Sequence, residues 1–196
     1  MPIAFLEVVK ALQLPDRADI LDVGAGGFAG ANTTVHLLKL KDPKIDAIEL
    51  DSERAKALAD KFAGKINVIS GDFLTHEFGK AYDLVVLDLD SNIIPALYES
   101  WLPGKVKSLL KPGGAVVVLC FGYAPDVPND SYGLALEIQV VAKAFLQRHF
   151  RATSLTPAVV KAFYDADPDY AFVTMLGKSN AWRQPETIVW IGLRRR

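Results

Sequence analysis

Apolar residues in this chain arrive in short unbroken runs, separated by stretches whose apolar positions recur at helical spacing. Ala18–Val23 is the first such run and ends at a cluster of glycines; Asn32–Leu40 then carries the three- and four-residue spacing of a helix. The alternation repeats. Ile45–Leu50 reads as a second strand, Ser52–Phe62 as a helix capped by Asp51 or Ser52, and Ile66–Ser70 as a third strand. Tyr82–Leu87 and Ala115–Cys120 read as fourth and fifth strands, with a helix over Pro95–Leu110 between them. Lys111-Pro112-Gly113-Gly114 closes that helix, because proline and paired glycines cannot continue it.

Strands this apolar, without polar alternation, are covered on both faces, and their alternation with helices implies right-handed crossovers in a mainly parallel sheet. The expectation is an α/β fold of the doubly wound, Rossmann-like kind: about seven strands with helices on both faces. Beyond Cys120 the pattern loosens. Tyr123–Tyr132 is a loop rich in Pro, Asp and Asn, Gly133–His149 a helix, and Ala152–Thr156, Ala171–Leu176 and Thr187–Leu193 compete as strands. With no repeat or linker in 196 residues, the expectation is one domain over 1–196.

Charge narrows the partners. A formal charge of −1 offers no overall attraction to nucleic acid or acidic membranes, so neither is expected as a partner. The one basic run, Arg194-Arg195-Arg196, reads as a solvated end. A single cysteine, the absence of a 20-residue apolar span and Glu7 within the first helical pattern point to the cytoplasm, as a monomer or homodimer.

In an open parallel sheet, ligands sit beyond the carboxyl ends of the strands. The polar residues collected there are Asp22, Gly24, Gly26 and Gly27 after the first strand, Glu49 and Asp51 after the second and Asp72 after the third. Asp88 and Asp90 follow the fourth, and Cys120 and Tyr123 the fifth. The glycines let the backbone approach a ligand with no Cβ in the way. Glu49, 23 positions beyond Gly26, is placed to accept hydrogen bonds from both hydroxyls of a ribose. Asp72 can accept the amine of an adenine while the backbone of Phe73 meets a ring nitrogen. Each residue also has a plainer reading: a packing turn at the glycines, a rim charge at Glu49, a cap at Asp72.

Together these residues resemble the class I S-adenosylmethionine-dependent methyltransferases, from Ile20 to about Val118. Asp22–Gly30 resembles that family's methionine-binding loop, Ile45–Glu49 its ribose-binding strand, Val68–Phe73 its adenine-binding strand, Tyr82–Asp90 its fourth-strand motif and Leu110–Gly114 its Leu-Lys-Pro-Gly-Gly turn. Phe28 departs from the pattern, standing where the family has glycine. The resemblance implies S-adenosylmethionine as cofactor, held by Asp22, Gly24, Ala25, Gly26, Glu49, Leu50, Asp72, Phe73 and Asp88. Gly24-x-Gly26-x-x-x-Gly30 also admits a dinucleotide reading; Asp22 and the Leu-Lys-Pro-Gly-Gly turn favour the methyl donor.

Asp88, Asp90 and Tyr123 are the candidates for catalysis. The segment Asp88-Leu-Asp90-Ser-Asn92 lacks the Asn/Asp-Pro-Pro-Tyr/Phe signature associated with amino-methylation of nucleobases, so the acceptor is expected to be a small molecule with an oxygen or nitrogen nucleophile. Asp88-Leu-Asp90 also resembles the metal-dependent O-methyltransferases, whose aspartate there binds magnesium. The Asp-Asn pair those enzymes carry after strand five is replaced by Leu119-Cys120-Phe121-Gly122, so no metal ligand is assigned. Two alternatives stay open: aminopropyl transfer, as in the polyamine synthases, and a non-catalytic binding module on the same fold. The aromatic residues after Phe121, namely Tyr123, Tyr132, Phe163, Tyr164, Tyr170 and Trp182, are candidates for the acceptor pocket.

Overall fold

The computed structural model describes residues 2–25, 33–89, 93–122, 136–177 and 188–196. Its strands are β1 (Asp19–Val23), β2 (Lys44–Glu49), β3 (Asn67–Ser70), β4 (Tyr82–Leu87), β5 (Leu110–Phe121), β6 (Tyr170–Gly177) and β7 (Ile188–Arg195). They form one sheet in the order β3-β2-β1-β4-β5-β7-β6. The first five are parallel, and β7 runs antiparallel between β5 and β6. The chain reverses direction across the sheet at β1 and β4, which leaves a crevice beyond their carboxyl ends.

Helices cover both faces because successive strand residues point to opposite sides. On β4, Leu84 and Val86 enter one core while Val85 and Leu87 enter the other; on β5, Ala115, Val117 and Leu119 oppose Val116, Val118 and Cys120. The first face is closed by α1 (Pro2–Ala11) and α2 (Thr34–Leu37), through Phe5, Val8, Leu12 and Leu37. Ala47 on β2 packs with Leu58 and Phe62 around α3 (Ser52–Lys61). The second face is closed by α4 (94–109), α5 (136–150) and α6 (Pro157–Asp165).

Several expectations shift in detail. The helix before β5 is regular at its ends but widens to a π-type coil over Leu97–Val106, around Pro103, which has no N–H to donate. Strand β5 begins at Leu110, five residues before the expected Ala115, because Leu110 pairs with Tyr82 and the Pro-Gly-Gly segment is accommodated by a register shift before Leu84 meets Ala115. Ala152–Thr156 is not a strand of the sheet. Thr156 caps α6, its hydroxyl accepting from Val159 N–H at 3.3 Å, with Pro157 at the first helical position.

The terminal arginines are not a loose solvated end. Arg194 donates to the carbonyls of Gly113 and Leu12, Arg195 to that of Leu110, and Arg196 to those of Tyr170 and Tyr164. Guanidinium groups bring fixed, forked donors to carbonyls left open by the strand and helix ends, and the last residues are held at the edge of the sheet opposite the crevice. That same end of the sheet is tied by ion pairs: Lys111 bridges Asp19 and Asp83, and Lys80 bridges Asp19 and Asp46.

Candidate active site at the strand ends

Asp22, on β1, is fully buried, with Thr33 Oγ1 donating to its Oδ1 and Thr34 Oγ1 to its Oδ2, both at 2.6 Å. These bonds tie the strand to the start of α2 across the glycine loop. Burial pushes the Asp22 carboxyl up to about 7; the two threonine hydroxyls pull it down, and the nearby charge of Asp88 adds to the rise.

Gly24 leaves β1 with φ +75°, a conformation that glycine adopts without a steric penalty, and its N–H donates to Ile48 O at 2.9 Å. A Cβ here would lie 2.6 Å from Leu89 Cδ2 and 3.0 Å from the Asp88 carbonyl, so the first turn of the loop rests directly on the end of β4. Ala25 is buried against Ala47, Leu58 and Phe62, which places its side chain in the core under the loop. Gly26, with Gly27, Phe28 and Gly30, lies outside the described residues.

Glu49 ends β2 almost wholly buried, accepting from Asp51 N–H at 3.1 Å. Asp51 is the cap of α3, accepting from Glu53 N–H at 2.9 Å and Arg54 N–H at 3.1 Å. Leu50, between them, is 73% exposed, an apolar side chain held out at the mouth of the crevice. After β3, Asp72 is exposed and accepts from Leu74 N–H at 2.8 Å, so a capping turn uses one of its oxygens. Phe73 turns inward against Phe78 and Trp101, at ring distances of 6.1 and 5.7 Å, leaving its backbone at the rim.

Asp88 follows β4 half-buried, close enough to Asp22 to act on its ionisation. Asp90 and Tyr123 lie outside the described residues, as do Tyr132 and Trp182. Cys120 is buried in the second core, where burial pushes its thiol up to about 12. Of the aromatic residues considered for the acceptor pocket, Tyr164 and Tyr170 are core residues instead. Tyr170 opens β6 opposite Arg195, at the sheet edge away from the crevice, and its hydroxyl donates to Leu102 O at 2.7 Å. Phe163 packs with Phe150 and His149.

Thr33 and Thr34, which the motif reading passed over, join the candidate site through their bonds to Asp22. The available signal was a pair of hydroxyl residues at the start of a predicted helix, eleven and twelve positions after a buried acid. Among the described residues, no three His, Cys, Asp or Glu side chains stand together in a way that could hold a metal ion, and no helix is long and apolar enough to cross a membrane.

The strand order, the glycine turn and the acids at adjacent strand ends, Asp22 and Glu49 buried and Asp88 half-buried, define a class I methyltransferase fold with its cofactor crevice. Residues 4–110, just over half of the chain, match the ribosomal RNA adenine dimethylase family, and the chain belongs to it. It is an S-adenosylmethionine-dependent methyltransferase, and S-adenosylmethionine is its cofactor. No curated protein matches the chain.

Solved structures agree on the fold. A TehB-like S-adenosylmethionine-dependent methyltransferase from Corynebacterium glutamicum superposes with a TM-score of 0.54 at 16% identity, over 98% of this chain and 88% of that one. The N-methyltransferase NodS from Bradyrhizobium japonicum, solved with S-adenosyl-L-homocysteine, gives 0.56 at 13% identity, over 97% and 85%. The 23S rRNA methyltransferase ErmE gives 0.56 at 17% identity, over 97% and 67%.

Family membership corrects one expectation. A small-molecule acceptor with no nucleic acid partner conflicts with a family named for ribosomal RNA and with the likeness to ErmE. The formal charge that suggested it is a sum over the whole chain, and a sum near zero is compatible with local surfaces of either sign.

Proposed function

We propose that the chain transfers methyl groups from S-adenosylmethionine to the exocyclic amine of adenine in ribosomal RNA. The observation that carries this reading is the family match over 4–110, which spans every donor-side residue from Asp22 to Asp88. Glu49 would take the ribose hydroxyls of the donor, and the exposed face of Leu50 would lie against its adenine. Asp72 and the backbone of Phe73 would meet the adenine edge. Gly24 and Ala25, with Gly26, would shape the turn that carries the methionine part past Asp22.

The bound donor supplies an electrophilic methyl on a sulfonium. The protein has to bring an amine nitrogen in line behind that methyl and keep water out. As the nitrogen–carbon bond forms and the carbon–sulfur bond breaks, the amine sheds a proton. Asp88, at the end of β4 beside the crevice, is the group we assign to hold the amine and receive it. Asp90 and Tyr123 are kept as candidates for the acceptor side from the sequence alone.

The test is incubation with methyl-labelled donor and ribosomal RNA, followed by separate digestion with ribonuclease and protease. Label released by ribonuclease supports the reading; label that stays out of RNA under conditions where donor binds refutes it.

A further inference from the structure

A second concave surface lies at the foot of the sheet, away from the strand ends that form the crevice. Between the end of α1 and the turn that leads from α2 into β2 is a pocket of about 180 Å3, with Val9, Leu14 and Leu40 in its walls and Lys10, Asp16 and Lys41 at its mouth. An apolar hollow of roughly that size takes one ring or one branched side chain. Backbone bonds stitch the two walls together: Arg17 N–H donates to Lys41 O at 3.1 Å, and Lys44 N–H to Ala18 O at 3.0 Å. Three of the four non-glycine residues with left-handed backbone among the described residues stand in or beside these walls: Gln13, Arg17 and Asp42, at φ 49°, 59° and 49°. Side chains resist that conformation, and strained segments held by their surroundings gather at ligand sites.

The mouth carries both signs of charge. Asp16 and Lys41 come from opposite walls and pair with each other across it, both well exposed. Lys10, on α1, adds a second ammonium and pairs with Glu7 at 2.9 Å. Exposed pairs of this kind contribute little to stability and are readily exchanged for other partners. A hollow lined by aliphatic side chains, with an acid on one side of its mouth and amines on the other, matches an apolar side chain that carries an ammonium and a carboxylate. We propose that the pocket binds one free α-amino acid of the size of leucine or phenylalanine. Its side chain lies between Val9, Leu14 and Leu40, its ammonium on Asp16 and its carboxylate on Lys41 and Lys10.

Binding exchanges the Asp16–Lys41 pair for two pairs to the ligand, keeps the charge of the mouth balanced and takes an apolar side chain out of water. Each half of the ligand's head has its own partner, so a ligand lacking either half loses one exposed ion pair, about two- to fivefold in affinity. For a ligand of about nine non-hydrogen atoms in an open site, the dissociation constant falls at about 0.1–1 mM. The site goes beyond methyl transfer and is separate from the crevice. The donor itself ends in an amino-acid head that a free amino acid imitates, so the two places have to be told apart.

The experiment is calorimetric titration of the full chain, its crevice filled with S-adenosylhomocysteine, against L-leucine, L-phenylalanine, isocaproate and isoamylamine. Isocaproate is leucine without its amine, and isoamylamine is leucine without its carboxylate. Leucine or phenylalanine is expected to bind in the range given, and both truncated probes more weakly. Asp16→Asn, at an exposed position, should bring leucine down to the affinity of isocaproate without weakening isocaproate itself. Leu14→Trp, which fills the hollow, should abolish binding of both. No binding of either amino acid at about 10 mM overturns the proposal, as does equal affinity for leucine and isocaproate or leucine binding indifferent to Asp16→Asn. Leucine that binds only when S-adenosylhomocysteine is left out sits in the crevice, and that result overturns it as well.

Discussion

The Thr34 hydroxyl donates to Asp22 Oδ2 at 2.6 Å, tying the start of α2 to the end of β1 across the glycine loop. The bond is buried, so its loss leaves an acceptor without water to replace the donor. Thr34→Val keeps the shape of the side chain and removes the hydroxyl. Chemical denaturation is expected to show a loss of about 1–3 kcal/mol. Donor affinity should fall with it, because the loop loses one of its two anchors on the strand; unchanged affinity and stability would mean the tie is dispensable.

The raised carboxyl of Asp22 has a consequence for stability. Between its ordinary value of 3.8 and about 7 the folded chain holds a proton that the unfolded chain has already lost. Its contribution is therefore fully present below pH 4 and is lost as pH rises towards and through 7, by about 4 kcal/mol in all. Urea unfolding of the donor-free protein from pH 4.5 to 8 should show this downward slope in wild type and a shallower one in Asp22→Asn. Parallel curves for the two would contradict it.

Gly24→Ala is expected to cost roughly 1–3 kcal/mol, since the residue sits at φ +75° and the new methyl would press on Leu89 and on the Asp88 carbonyl. Leu89 can move aside; the carbonyl is backbone and cannot move without shifting the end of β4. A fall in melting temperature of several degrees, together with weaker donor binding, is the expected result of scanning calorimetry and titration. A variant as stable as wild type would show that the loop and β4 are not packed this closely.

The donor half was legible because its strands are covered on both faces. Leu84 to Leu87 alternate between two cores and therefore read as an unbroken apolar run, and the predicted and observed bounds of β4 coincide. The placement of the candidate acids was legible for a related reason: Asp22 and Glu49 are polar residues at the ends of apolar strand runs, and the structure holds both there, buried. What was missed depends on long-range partners. The hydroxyls of Thr33 and Thr34 look like ordinary helix-start residues until Asp22 is brought to them. The arginines of the C-terminus look solvated until the antiparallel β7 carries them to the carbonyls of Leu12, Leu110 and Gly113. Tyr164 and Tyr170 looked like pocket residues because aromatic composition alone does not distinguish a cleft from a core.

Cys120 gives a probe of the second core. Its thiol is buried at the end of β5 and pushed up to about 12, so almost no thiolate exists at pH 8 and no reagent reaches it in the folded state. An aromatic disulfide reagent should label the folded protein only at the rate of global unfolding and label it at once in urea. Rapid stoichiometric labelling of the native protein would place Cys120 in the crevice.

The central claim joins a donor held at the ends of β1, β2 and β3 to an adenine acceptor in ribosomal RNA. It is tested most directly by mass spectrometry of nucleosides from ribosomal RNA treated with wild type, Glu49→Gln and Asp88→Asn in the presence of S-adenosylmethionine. The account predicts adenosine carrying one and two added methyl groups with wild type. It predicts less with Glu49→Gln, by about 10- to 100-fold at sub-saturating donor, from the loss of charge-assisted bonds to the ribose, and little with Asp88→Asn at any donor concentration. Adenosine left unmodified by a wild-type protein that binds the donor would contradict it.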